Sequence, residues 1–166
     1  MQSFTIPLAG EGDWVKINTG QQALVRVAHS AEMARRLQPA IRNRTLSPVD
    51  RAALLSDAYA LARAGTGPVE SVVDILRVMD GEDANIAWSS MHSVLVGLYV
   101  QLEEMGGAPL AAFAAFGKRA VLTALQRVGW DPRPDDDHSA LLLRSTVIGL
   151  LDTFAHDDPA VVAEAR

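Results

Sequence analysis

The chain changes its hydrophobic period near residue 30. Residues 3–8 form a short extended run, and Pro7 suits an edge or a strand end because proline has no N–H to give to a ladder. The two glycines within 9–13 read as a turn. Residues 14–18 and 23–28 then alternate bulky and polar side chains on either side of the turn signal Asn18-Thr19-Gly20. This pattern predicts a small antiparallel β unit over 1–29. Two or three strands are too few to be stable alone, so the unit must lean on something else.

From Ser30 onward the apolar positions recur at helical spacing. Ser30 can cap a helix whose inner face is Met33, Leu37, Ala40 and Ile41. Ser47-Pro48-Val49-Asp50 is a start signal with a capping serine, a proline in the first turn and an acid beside it. Leu54, Leu55, Ala58, Leu61 and Ala62 follow before Gly65. Gly67-Pro68-Val69-Glu70 repeats that signal for a helix carrying Val72, Val73, Leu76 and Met79, closed by Gly81. Asp83 is expected to open a longer helix with Ile86, Met91, Val94, Leu95, Leu98 and Leu102, ended by Gly106-Gly107. Pro109 is expected to start the next, with Leu110, Phe113, Phe116, Val121, Leu125 and Val128, stopped by Gly129.

Two prolines and three aspartates make 130–137 a loop. A further helix is predicted from His138 to Phe154, and a last one from Pro159. About seven helices with short links imply antiparallel hairpins, stacked as an α-α superhelix of the HEAT or armadillo kind over 30–166. The fold class is therefore mainly α, with the β unit at its N-terminal edge. A helix array that stops partway through a helix is expected to be truncated at its C-terminal end.

Composition sharpens this picture. The chain has 166 residues, enough for one domain with a sizeable core. Aromatics are only 5%, so the core must come from Leu, Val, Ile and Ala, which favours helix-on-helix packing. The net charge of −5 with no basic stripe gives nucleic acid no electrostatic footing. The absence of cysteine excludes a disulfide framework and thiolate metal sites, and suits a cytoplasmic setting. The start lacks the basic end and apolar run of a secretory signal. The strongest apolar stretches, 140–143 and 146–151, are too short to span a bilayer. A soluble protein without nucleic-acid or membrane partners is expected.

Catalytic chemistry is hard to place. A zinc hydrolase of the H-E-x-x-H type needs two histidines one turn apart, and His29, His92, His138 and His156 offer no such pair. The run Asp135-Asp136-Asp137-His138 lacks the glycine and glutamate of a calcium loop and reads as a solvated loop before a helix start. His156-Asp157-Asp158-Pro159 reads as a loop with Asp158 as cap. There is no nucleophile elbow, phosphate loop or dinucleotide fingerprint. Ser89-Ser90 with His92 falls within a helix, whose bonded N–H groups offer no oxyanion donors. No catalytic, metal or cofactor-binding residue is assigned. Arg26, Asp50, Arg51 and Asp57 remain: either some of them pair at the seam between the β unit and the first helix pair, or they are solvated surface charges.

At these residues the chain resembles a known family. Trp14-Val15-Lys16-Ile17-Asn18, Gly20 and Arg26 resemble the passage by which zinc aminopeptidases of the puromycin-sensitive type, the M1 or gluzincin family, leave their β-sandwich domain. Ser47-Pro48-Val49-Asp50-Arg51, Leu55, Asp57, Tyr59 and Leu61-Ala62-Arg63-Ala64-Gly65 are similar to the opening of their C-terminal helical domain. Val78-Met79 and Trp88-Ser89 keep the register. Gly129-Trp130-Asp131-Pro132-Arg133-Pro134, His138, Ala140-Leu141-Leu142 and Arg144 extend the likeness over nearly the whole chain. Leu24-Val25 departs from it, standing where the family has an aromatic pair.

The resemblance implies a noncatalytic helical segment of a larger aminopeptidase that removes N-terminal residues from peptides. The zinc and the catalytic glutamate of such a parent lie in an earlier domain. The segment's partners would be that catalytic domain and the parent's peptide substrate, and its role would be to help form the cavity admitting peptides to the active site. The alternative is a free-standing α-solenoid that binds another protein. Uncovered apolar faces at either end predict self-association of the isolated chain.

Overall fold

The computed structural model describes residues 3, 5–8, 10 and 12–165, and all of its regular structure is helical. The helices are α1 (Ala31–Arg42), α2 (Pro48–Arg63), α3 (Val69–Val78), α4 (Asn85–Met105), α5 (Gly107–Val128), α6 (His138–Gly149), α7 (Leu151–Phe154) and α8 (Pro159–Glu164). With α6 and α7 taken as one broken helix, these are the seven expected.

Their starts follow the expected local chemistry. Ser30 Oγ accepts the Met33 N–H and Ser47 Oγ accepts the Asp50 N–H, each satisfying a first-turn donor that has no partner within the helix. Asp137 and Asp158 cap α6 and α8 in the same way, through the N–H groups of Ala140 and Ala160. Two starts differ from expectation. Helix α4 begins at Asn85 rather than at Asp83, because the Asp83 carboxylate is drawn to Arg44, 2.5 Å away. Helix α5 begins at Gly107, so Pro109 lies within its first turn, where a missing N–H costs nothing.

Helices α2, α4 and α6 lie side by side, α2 on α4 and α4 on α6. Helix α1 packs on α3, and α5 packs on α4, α6 and α7. Leu37, Leu55, Val72, Leu76, Met91, Val94, Leu95, Val121, Val147 and Leu150 are almost fully buried in one continuous core. Each such side chain contributes roughly 1.5–3 kcal/mol of burial. Ile86, expected on the inner face of α4, is 48% exposed, and Ala87 and Trp88 are buried instead. Two glycines set the closest approaches. A Cβ on Gly97 of α4 would lie 2.1 Å from the Tyr59 hydroxyl, and one on Gly117 of α5 would lie 2.3 Å from the Phe154 ring.

The break between α6 and α7 belongs to that second approach. The chain departs from a straight helix at Gly149-Leu150, and Phe154 then lies against Gly117 and edge-on to Tyr99, 5.2 Å between ring centroids. The sequence predicts a single helix from His138 to Phe154. Helix α5, 22 residues long with an 18-residue stretch of mean hydropathy 1.3, has the length and apolarity of a membrane span, more than either stretch singled out in the sequence. Phe113, Val121, Ala124 and Leu125 on it are buried in the core, and Lys118 pairs with Asp157 at 2.8 Å.

The expected β unit is not seen among the described residues. Among the described residues of 1–29 there is no strand; Thr19–Gln21 is a short 3-10 turn, and the rest is irregular or extended. Phe4, Ala9 and Glu11, part of the expected first run and turn, lie outside the described residues. The physical reason lies in the partners of the backbone. The N–H groups of Val15, Gly20 and Val27 go to side chains of α1 and α2 rather than to a neighbouring strand.

Candidate functional site

Three of the four charged residues singled out in the sequence, Asp50, Arg51 and Asp57, lie on α2, whose first half is buried from Asp50 through Leu55. Asp50 and Asp57 are seven residues apart, two helical turns, and so share a face. Each is 2% exposed. Asp57 Oδ1 pairs with Arg26 Nη1 at 2.9 Å, and its Oδ2 accepts the Val27 N–H at 3.2 Å. Asp50 Oδ1 accepts the Gly20 N–H at 2.8 Å and faces Lys16 Nζ at 3.7 Å, while its Oδ2 accepts from the Ser47 hydroxyl at 2.8 Å. Two carboxylates on one helix face thus bind the segment containing Lys16, Gly20 and Val27. His29 lies at the end of this seam. Burial, then the Lys16 charge, lower its pKa, against a smaller opposing pull from Asp57.

Arg51 adjoins Asp50 in sequence but serves a different contact. Its Nε and Nη2 both reach Glu82 at 2.7 Å, and Nη1 donates to the Leu46 carbonyl at 2.6 Å. The Arg51 and Glu82 side chains are 3% and 2% exposed. Glu82 Oε1 also accepts the N–H groups of Asp83 and Ala84, both at 2.9 Å. Burial pushes the Glu82 pKa up. The hydrogen bonds from Arg51 and those two N–H groups outweigh it, so the net shift is downward from 4.5. Glu82 in turn raises the pKa of Arg51.

The same link between α3 and α4 is held from two further sides. Arg44 and Arg127 both donate to the Gly81 carbonyl, Arg127 also donates to Glu82 O, and Trp88 Nε1 donates to Glu82 O at 2.8 Å. Sequence reasoning missed Glu82, Lys16, Arg44 and Arg127. The nearest signal for Glu82 was its place directly after Gly81, three residues beyond the end of α3. Its partner is 31 residues away, and no local pattern links the two.

A further pair ties the 130–137 loop to α6, between buried Arg144 and half-buried Asp136. Arg144 Nη2 meets Asp136 at 2.6 Å, and its Nε and Nη2 donate to the Val128 carbonyl. The Arg133 N–H and then Arg144 lower the Asp136 pKa, with burial opposing. Ser89 and Ser90 give their hydroxyls to the carbonyls of Asn85 and Ala52, and Ser90 also bonds Ser56 Oγ at 2.7 Å. Among the described residues, no three His, Cys, Asp or Glu side chains come together in a way that could hold a metal ion. No step of metal chemistry is assigned to the described residues.

Comparison with known proteins gives this scaffold its relatives. The family model described as the ERAP1-like C-terminal domain matches residues 14–166. Aminopeptidase M1-A of rice (Oryza sativa subsp. japonica) is 28% identical over 155 residues, covering 93% of this chain. The puromycin-sensitive aminopeptidase of Caenorhabditis elegans is 26% identical over 155 residues, and aminopeptidase M1 of Arabidopsis thaliana is 27% identical over 162. These matches cover 17%, 16% and 18% of the three relatives, so the chain spans about one sixth of their length. The continuous match over residues 14–166 shows that the chain belongs to the ERAP1-like C-terminal domain family of the M1 aminopeptidases.

Proposed function

We propose that this chain is a noncatalytic helical part of a zinc-dependent M1 aminopeptidase and helps form the cavity that admits peptides to the parent's active site. The unbroken family match over residues 14–166 carries this reading, since every relative named above is an aminopeptidase far longer than the match. The zinc and the bond-breaking groups belong to the rest of the parent. The parent releases N-terminal residues from peptides, in a cytoplasmic setting.

On this reading residues 1–29 are the remnant of a β-sandwich domain, and 30–166 are the helical domain. The side-by-side order of α2, α4 and α6, with α1 on α3 and α5 on α7, supports stacked hairpins winding as an α-α superhelix. The carboxylates of Asp50 and Asp57 are the fasteners that hold the junction to the first hairpin. Arg26, Asp50, Arg51 and Asp57 are on this reading a structural charge network. Arg51 acts through Glu82.

The test is made in a full-length M1 enzyme carrying this segment. Cleavage of long peptides is compared with cleavage of a single aminoacyl reporter, with and without the Asp50→Ala/Asp57→Ala pair that releases the junction. A lining of the peptide cavity predicts a larger loss on long peptides than on the reporter. Equal losses on both would sink the cavity role. The alternative, a free-standing solenoid that binds another protein, draws on the same helix order. It predicts a stable complex with a protein that is no aminopeptidase.

A further inference from the structure

His29 stands where the irregular N-terminal segment becomes helix, directly before Ser30, the cap of α1. The residue is half-buried and lines both apolar hollows on this side of the molecule. One lies between α1, α2 and α3, the other between residues 6–8, 15–17 and Met33. Nε2 is buried and, among the described residues, has no hydrogen-bond partner. Neither hollow is lined by a second ionisable side chain.

Two charges act on the ring, Lys16 from the segment and Asp57 from α2. Lys16 is itself a buried cation, its side chain 2% exposed, set against Asp50 and the Ile17 carbonyl. Asp57 is already engaged by Arg26 at Oδ1 and by the Val27 N–H at Oδ2. A neutral ring can leave Nε2 without a proton. A protonated ring has an N–H on both nitrogens, so one donor and part of the charge would be buried with no acceptor. Burial and Lys16 accordingly hold the His29 pKa below its ordinary value of 6.5, against a smaller pull from Asp57. A docked value below the free one fixes the sign. The contribution to docking is full above pH 6.5 and is lost as pH falls from there through the docked value.

We propose that His29 is a pH-sensitive latch on this seam: its neutral ring lets residues 14–29 lie on α1 and α2, and its protonated ring releases them. The bonds opened on release are those that pin the segment, from the Gly20 N–H to Asp50, the Val27 N–H to Asp57 and the Val15 N–H to Met33 Sδ. The proposal does not depend on the aminopeptidase reading.

The test follows the whole chain by NMR from pH 7.5 to 5.5, reading the His29 ring titration and the exchange protection of the Gly20 and Val27 amides. The His29 midpoint is expected below 6.5. Protection of both amides, corrected for intrinsic exchange, should fall as pH drops below that value, by at most about tenfold per pH unit, the limit for one proton. Amides of Val94 and Leu95 in the core of α4 should keep their protection, which separates local release from unfolding. His29→Phe carries no titrating group and should hold protection of Gly20 and Val27 constant over the range. His29→Gln serves the same purpose should the first variant lose its helical signal. A His29 midpoint at or above 6.5, or constant protection of Val27 in the parent chain, overturns the latch. So does an equal fall in a folded His29 variant, which would place the titration on other groups.

Discussion

Replacing Arg51 by methionine should be among the most damaging single changes on the molecule's polar side, and the structure says why. The substitution removes a bidentate pair with both contacts at 2.7 Å, and a third bond to the Leu46 carbonyl. Methionine keeps much of the hydrocarbon stem, so packing loss is small. The main cost is a Glu82 carboxylate left 2% exposed with only two N–H donors, those of Asp83 and Ala84. Breaking a buried pair in this way costs about 3–5 kcal/mol.

Adding Glu82→Gln removes the stranded charge while its amide oxygen still accepts both N–H groups. The double variant should therefore be more stable than Arg51→Met alone. Leucine at position 82 would be a poor choice, because it orphans those two donors.

Acid should narrow the gap between the single variant and the parent. In the parent, the folded pKa of Glu82 lies below 4.5, so its contribution is full above that pH and is lost as pH falls through the folded value. Without Arg51 the burial that pushes this pKa upward is less opposed, and protonation relieves the variant. Urea unfolding followed by circular dichroism, at neutral and acidic pH, measures all three effects. A loss below about 1 kcal/mol for Arg51→Met, or strictly additive single changes, would refute the reasoning.

Other expectations follow from single contacts. Asp57→Ala strands the buried Val27 N–H and should cost about 1–3 kcal/mol in urea titrations; a loss below about 0.5 kcal/mol would contradict the assignment of Asp57 as a backbone acceptor. Gly117→Ala drives a Cβ into the Phe154 ring and should cost about 1–3 kcal/mol, while Gly149→Ala meets nothing within 4 Å and should be neutral or stabilising. A thermal melt in which both behave alike would argue against that close approach. The isolated chain exposes Leu24 fully, together with Ile17, Val25, Leu141 and Leu142, and should self-associate in sedimentation experiments; a monomer at high concentration would count against it.

Helix placement was legible because it depends on neighbours in sequence. Ser30, Ser47 and Asp158 announce helix starts through bonds spanning two or three residues, and Gly129 announces an end through its positive φ. The inner faces of α1 and α3 could be read from spacing for the same reason. What escaped was decided at a distance. Nothing local in Glu82 shows that Arg51 will fold onto it, nor does Gly149 reveal that the chain must turn there for Phe154 to reach Gly117. Alternation in 14–18 and 23–28 predicted strands, yet a strand needs a neighbour. Here the segment's N–H groups instead found Asp50 and Asp57, residues whose charge was visible but whose partners were only half foreseen.

The central claim, that peptide-bond chemistry comes from protein outside these residues, is tested most directly by assaying the purified chain. Zinc content and hydrolysis of aminoacyl reporters are measured together, with and without added zinc and chelator. The account predicts no bound zinc and no turnover above buffer. Turnover that co-elutes with the chain, tracks stoichiometric zinc and disappears with chelator would contradict it.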